Sequence, residues 1–256
     1  MKWRKRILKD ITKYGKGLLK NIAGIVYPDR CPLCGKVMYT GSGISTCMEC
    51  TGKAEYVKAP FCMKCGKPVR QDTELCLDCQ GKETSFECGR AVFVYNSCMQ
   101  QSVAQFKYGG RTGYAGFYAS KAAELYGSWI ESISPDAFIP VPIHGKRRLK
   151  RGFNQSGIIA GLLGELMGIQ VIHNMVVRTK DTVPQKNLSD KERKLNLSGA
   201  FEVVKESREL YQNIKCVIII DDIYTTGSTI EECSFVLKRA NIKEVYFLCT
   251  CIGKGY

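Results

Sequence analysis

At 256 residues the chain can hold one large or two modest domains with ample core. A formal net charge of +14 and a pI near 9.2 favour an acidic partner: nucleic acid, a polyphosphate ligand or an anionic surface. Only two histidines exist, neither with an obvious partner, which leaves a Ser/His/Asp or Cys/His hydrolase poorly supported. No segment is long and apolar enough to span a bilayer, so stable membrane insertion is not expected, and the N-terminus lacks the uninterrupted apolar run of a signal peptide.

Residues 1–24 form the first expected unit, a basic amphipathic helix. Lys2, Arg4, Lys5, Arg6, Lys9, Lys13, Lys16 and Lys20 face one acid, Asp10. Trp3, Ile7, Ile11, Tyr14, Leu18 and Ile22 recur at three- or four-residue steps, which makes one apolar stripe, and Gly15 and Gly17 weaken it. Three readings stay open: a helix docking on its own domain, a DNA-binding surface, or a helix lying on a membrane surface.

Fourteen cysteines would mean disulfides in a secreted chain, but eight of them fall into four C-x-x-C pairs, which is metal spacing. Cys31 and Cys34 with Cys47 and Cys50 form one set; Cys62 and Cys65 with Cys76 and Cys79 form another. Each pair makes a knuckle aiming two thiolates at one ion, and two knuckles close a tetrahedral shell; sequential pairing is expected, with interleaved pairing the alternative. Four soft ligands leave no open position, so two structural Zn²⁺ ions are expected. Each Zn²⁺ with four thiolates carries −2, which takes the net charge from +14 to +10. This double zinc-ribbon module, residues 25–82, has few large apolar residues, and metal binding should supply its folding energy. Reduced thiols and no export signal lead us to expect a cytoplasmic protein.

Residues 80–90 read as a linker, and a second domain is expected over 88–256. Its elements alternate: strand 91–95, helix 99–108 broken by Gly109 and Gly110, helix 114–130, and strand 137–141. Five basic residues follow within 146–151. Bracketed by Pro142 and Gly152 after a buried strand, they predict a loop over an anionic site, or else a solvated charged loop. Helix 154–167, strand 171–177, a long polar basic stretch 179–197 and a short strand 201–204 come next. Cys88, Cys98, Cys216, Cys233, Cys249 and Cys251 lie on or near apolar segments and are expected to be mostly buried.

The most informative stretch is 217–229, VIIIDDIYTTGST. Val217, Ile218, Ile219 and Ile220 run without alternation, as in a parallel-sheet strand buried on both faces. Asp221 and Asp222 are expected where that strand ends, and a helical pattern begins at Ile230. A helix N-terminus offers unpaired N–H groups and a positive dipole end to a phosphate. Gly227 permits close backbone approach, and Thr225, Thr226, Ser228 and Thr229 can donate hydroxyls. Two adjacent carboxylates can accept from vicinal hydroxyls or bind Mg²⁺, directly or through water. A phosphorylated sugar satisfies both halves; a buried strand with an acidic tip and an ordinary cap is the plainer alternative. The last core strand is expected at 244–249.

This segment resembles the phosphoribosyl pyrophosphate (PRPP) motif of type I phosphoribosyltransferases. The resemblance implies an α/β fold with a mostly parallel sheet. It gives Asp221 and Asp222 the ribose hydroxyls and Thr225 to Thr229 the 5′-phosphate, with Mg²⁺ accompanying PRPP. It further implies that the 146–151 stretch grips pyrophosphate and that the 179–197 stretch closes over PRPP. One departure is that Thr225 stands where the purine-salvage branch has a third acid, which puts purine chemistry in doubt.

More of the chain resembles the ComF family of competence-related, phosphoribosyltransferase-like proteins. The matching features are the cysteine knuckles, Pro140-Val141-Pro142, Arg148, Arg151-Gly152-Phe153-Asn154-Gln155, Arg193 with Asn196, Gly199-Ala200-Phe201 and the Asp221–Thr229 motif, in the family's order over roughly residues 25–252. The resemblance implies a protein that binds PRPP and single-stranded DNA and acts in DNA uptake during natural transformation, beside a helicase-like or recombination-mediator protein. Two other readings stay open: a phosphoribosyltransferase of nucleotide salvage, and a catalytically silent PRPP sensor. If transfer occurs, Asp221, Asp222, Arg147 and Arg148 are the candidate catalytic residues, the arginines stabilising the departing pyrophosphate.

Overall fold

The computed structural model describes residues 29–38, 46–180, 197, 199–205 and 210–254. The expected basic helix 1–24, nearly all of the polar stretch 179–197, and Arg193 and Asn196 lie outside the described residues. The described elements after the cysteine module are β1 (Gly89–Val94), α1 (Ser97–Tyr108), α2 (Tyr114–Ile133), β2 (Ala137–Pro140), α3 (Gly145–Arg151), α4 (Gln155–Met167), β3 (Val176–Arg178), β4 (Phe201–Val203), β5 (Cys216–Tyr224), α5 (Ser228–Arg239) and β6 (Glu244–Ile252).

The central sheet has the order β1-β6-β5-β2, every pair parallel. A parallel sheet needs cover on both faces, and the sequence supplies it. Val217 and Ile219 of β5 pack with Ile230, Cys233 and Leu237 of α5 on one face. Ile218 and Ile220 pack with residues of α1, α2 and α4, among them Phe106, Tyr118 and Leu163, on the other. The chain therefore leaves β5 towards one face and reaches α4 from β2 on the opposite face. β5 and β2 are neighbours, so a crevice opens between their carboxyl ends, the place where open α/β sheets bind ligands.

The cysteine module is part of this body. Val57 N–H donates to Val92 O (3.0 Å) and Val94 N–H to Glu55 O (2.8 Å), so the module runs antiparallel along the free edge of β1. The first cysteine set joins the core on the α1/α2 face and the second set joins the core on the α5 face. The expected mostly parallel α/β sheet with an N-terminal double zinc-ribbon module is what the chain forms.

Three local expectations are corrected. The segment expected as a loop over 146–151 is the helix α3, opened by His144, whose Nδ1 accepts from Lys146 N–H (3.4 Å), and closed by Gly152 at φ 82°. The expected strand 171–177 divides: Val171 bridges Phe138, the chain turns at His173-Asn174, and Val176–Arg178 joins the separate β3-β4 pair. Residues 85–88 are docked rather than a free linker, with Phe86 buried and Glu87 N–H donating to Val245 O (2.8 Å). Of the six cysteines outside the knuckles, Cys233, Cys249 and Cys251 are buried, and Cys88, Cys98 and Cys216 are half-buried. Among the described residues no helix is long and apolar enough to cross a membrane.

Candidate functional site

β5 does not stop before its acids. It runs on to Tyr224, so Asp221 and Asp222 are strand residues, each 8% exposed. Two adjacent buried carboxylates repel each other and lose solvation, so each needs a partner. Asp222 has one in Lys107, whose Nζ lies 2.9 and 2.8 Å from its two carboxylate oxygens. Asp221 Oδ1 accepts from the Ser156 hydroxyl (3.0 Å) and from the Asp222 N–H (2.8 Å). Burial, reinforced by the Asp222 charge, pushes the Asp221 carboxyl up to about 7, against the pull of Lys107 and these hydrogen bonds. Burial alone would lower the Lys107 ammonium, but the carboxylate of Asp222, with Asp221 behind it, holds it above its ordinary value.

Neither Lys107 nor Ser156 stands out in the sequence. Lys107 reads as an ordinary basic residue in the last turn of a helix, and its partner lies 115 residues away. Ser156 follows the RGFNQ run directly. Asn154 Nδ2 donates to Val141 O (3.0 Å), and Val141 N–H donates to Ile220 O (2.9 Å). The start of α4, the end of β2 and the acid pair on β5 are thereby brought together.

Beyond Tyr224 the chain makes the expected turn into a helix. Thr225 is exposed, Thr226 and Thr229 are half-buried, and Gly227 and Ser228 are buried. Gly227 adopts φ 81°, and a Cβ there would collide with the Tyr224 hydroxyl, so the position requires glycine on two counts. Thr226 Oγ1 and Ser228 Oγ are 3.0 Å apart, and α5 begins at Ser228 with Glu231 N–H bonded to Gly227 O (2.8 Å). The first amides of a 12-residue helix thus sit one turn beyond the two acids.

α3 leaves the carboxyl end of β2, beside β5, and carries Lys146, Arg147, Arg148, Lys150 and Arg151. Arg147 is half-buried and Arg148 exposed, while Lys107 is the cation that pairs with Asp222 among the described residues. Arg151 bonds the Tyr108 hydroxyl (3.0 Å) and lies 4.8 Å from its ring centroid, which ties α3 to the end of α1 next to Lys107. An acid pair, a helix N-terminus and a basic helix therefore stand on the strand-end side of one sheet. Asp221 and Asp222 could accept from ligand hydroxyls or hold a cation at this end of the sheet.

The two cysteine sets fit tetrahedral zinc. In each, all four Sγ atoms lie within 4.8 Å of one another, in sequential pairing: Cys31, Cys34, Cys47, Cys50 and Cys62, Cys65, Cys76, Cys79. A Zn–S distance near 2.3 Å gives a tetrahedral edge of roughly 3.8 Å. Cys34 and Cys47 Sγ are 3.7 Å apart, and Cys65 and Cys76 Sγ 3.5 Å. Hydrogen bonds from Cys65 and Cys79 draw the Cys62 thiol down, and a bound cation would favour the thiolate form of all four. The two ribbons repeat in detail. Cys31 N–H bonds Lys36 O (2.8 Å) and Cys62 N–H bonds Lys67 O (2.7 Å), with Gly35 and Gly66 at φ 77° and 78°.

Taken together, a mostly parallel α/β domain with a strand–acid–turn–helix site and a double zinc ribbon defines the class. The family model for the double zinc ribbon domain matches residues 22–80. Competence protein F of Haemophilus influenzae is 28% identical over 205 residues, 77% of this chain and 86% of that protein. The DNA utilization protein YhgH of Escherichia coli K12 is 29% identical over 231 residues, 89% of this chain and 98% of that protein. Competence protein ComFC of Bacillus subtilis is 26% identical over 193 residues, 72% of this chain and 74% of that one. The chain is similar to these competence and DNA utilization proteins, and the resemblance carried by its motifs is borne out. A solved hypoxanthine phosphoribosyltransferase from Staphylococcus aureus matches at 12% identity and a TM-score of 0.31, covering 52% of this chain and 61% of that one, a likeness too slight to carry an argument.

Proposed function

We propose that this is a ComF-type competence protein that binds PRPP at the β5–α5 turn and single-stranded DNA on adjoining basic surface, and that it acts in DNA uptake. The observation that carries the reading is the buried pair Asp221 and Asp222 one turn before a helix N-terminus whose Gly227 leaves room only for backbone. The ribose hydroxyls would donate to the two carboxylates, and the 5′-phosphate would take the Thr225–Thr229 hydroxyls and amides. Arg147 and Arg148 would face the pyrophosphate. Mg²⁺, arriving with PRPP, would neutralise pyrophosphate charge, with Asp221 and Asp222 holding it directly or through water. The names of the relatives support the DNA side of the reading, and the charge of +14 supports an anionic polymer as partner.

The test is pyrophosphate release from Mg²⁺·PRPP, alone and with single-stranded DNA or a panel of bases. Release that requires an acceptor and vanishes in Asp221→Asn/Asp222→Asn would make the protein a transferase. Binding of PRPP without release, lost in that variant, would make it a sensor or a DNA-handling module.

A further inference from the structure

The two zinc ribbons carry the same ion pair in the same place, yet in different surroundings. In the first, Lys36 follows the Cys31–Cys34 knuckle and meets Glu49, which lies inside the Cys47–Cys50 knuckle, at 2.6 Å. Both side chains are open to solvent, 62% and 66% exposed. In the second, Lys67 follows the Cys62–Cys65 knuckle and meets Asp78 inside the Cys76–Cys79 knuckle, but the Lys67 side chain is only 6% exposed. An exposed pair of this kind contributes little, so the repeat alone gives no reason to bury one copy.

One contact of the buried Lys67 reaches the site. Its Nζ stands 5.9 Å from the centroid of the Tyr224 ring. That ring stacks on Phe247 (4.8 Å, 3°), which Phe86 meets edge-on (5.0 Å, 89°). The Tyr224 hydroxyl is the group that fills the space beside Gly227. The segment that follows the second ribbon makes a separate attachment. Ser85 gives its N–H (3.0 and 3.1 Å) and its hydroxyl (2.7 Å) to the carboxylate of Glu231, in the first turn of α5. Lys238 and Glu87 pair at 2.7 Å towards the other end of that helix. The first ribbon packs on the opposite face, where Pro32 O accepts from the Ser102 hydroxyl.

We propose that the second zinc ribbon sets the shape of the Thr225–Thr229 turn, with Lys67, Ser85 and Tyr224 as positioning residues. This rests on reading that turn as a phosphate site. Zinc fixes the two knuckles that carry Lys67 and Asp78, Lys67 fixes Tyr224 from one side, and Ser85 holds the helix that begins the turn. The first ribbon, which lacks these contacts among the described residues, serves as an internal control.

The experiment uses the full chain carrying two zinc ions, verified for each variant by native mass spectrometry. Amide hydrogen exchange is followed over peptides spanning Thr225–Glu232 in Lys67→Met, Ser85→Ala and Lys36→Met. Exchange should quicken by at least about fivefold in the first two, stay unchanged in Lys36→Met, and return to wild type in Ser85→Thr. Wild-type exchange in both Lys67→Met and Ser85→Ala, or an equal effect in Lys36→Met, would overturn the proposal. Affinity for Mg²⁺·PRPP should fall about 5- to 150-fold in the same two variants. Faster exchange with undiminished PRPP affinity would uphold the positioning role and instead overturn the turn's assignment as a phosphate site.

Discussion

Lys107 carries a large electrostatic burden in the site, because it neutralises a carboxylate that keeps only a little water around it. Lys107→Met leaves Asp222 buried and unpaired. We expect a loss of about 3 kcal/mol, at the low end for a buried pair because both side chains keep some solvent, read as a shift of the urea midpoint at unchanged m-value. Asp221 makes a different prediction. Its carboxyl sits at about 7 in the folded chain against an ordinary 3.8, raised by burial and by Asp222. Below pH 3.8 both states hold the proton and stability is untouched. As the pH rises from there to about 7 the unfolded chain gives up its proton first, so the folded state loses stability across that window and levels off above it. Asp221→Asn should remove this decline. Parallel wild-type and variant profiles of unfolding free energy from pH 4 to 8 would contradict it. The sequence displays both acids, because DD after four β-branched residues is a local pattern. It does not display Lys107 or Ser156, because a partner 115 or 65 residues away is fixed only by how α1 and α4 pack on the sheet.

At the scale of elements, β5, the turn and α5 are legible in the sequence for a simple reason. A buried parallel strand, a glycine with positive φ and a helix start each have a local signature, and here the three are contiguous. α3 is not legible as a helix. Its run of like charge reads as a loop, and no residue of it is buried to give a periodic stripe. What makes it helical is its ends: the His144 cap, and Gly152 closing on Arg148 O at 2.7 Å. The helix carries five basic residues in seven positions, just beyond the carboxyl end of β2. If that cluster binds single-stranded DNA, Lys146→Glu/Arg147→Glu/Arg148→Glu should lower the affinity. It should also reduce the slope of log K against log salt by about 0.7 for each phosphate no longer neutralised, roughly 2 for all three. A wild-type slope in a correctly folded, two-zinc variant would move the DNA site elsewhere on the molecule. The divided strand at 171–177 escapes a sequence reading because its apolar residues continue across the turn at His173-Asn174, where the chain passes from the central sheet to the small one.

At the scale of the whole molecule, the cysteine module is legible as a metal module from spacing alone, but its placement is not. It lies along the edge of β1, with one ribbon in the core of each sheet face. That arrangement ties the zinc sites to the stability of the α/β domain. Structural zinc contributes on the order of 10–16 kcal/mol to the folding of small zinc modules, comparable with the stability of an entire domain. A strong chelator should therefore cost more than the local order of the ribbons. We expect the near-UV circular dichroism of the buried aromatic residues to change and the melting temperature of the remaining domain to fall by more than about 5 °C. A domain transition unmoved by zinc removal would show the ribbons to be independent of it. The measurement that bears most directly on the account is a calorimetric titration of Mg²⁺·PRPP into the two-zinc protein and into Asp221→Asn/Asp222→Asn. We predict one site in the wild type and at least a hundredfold weaker binding in the variant, with its zinc content and fold unchanged. Equal affinity in the two proteins would contradict the assignment of the acid pair to the ribose, and with it the central claim.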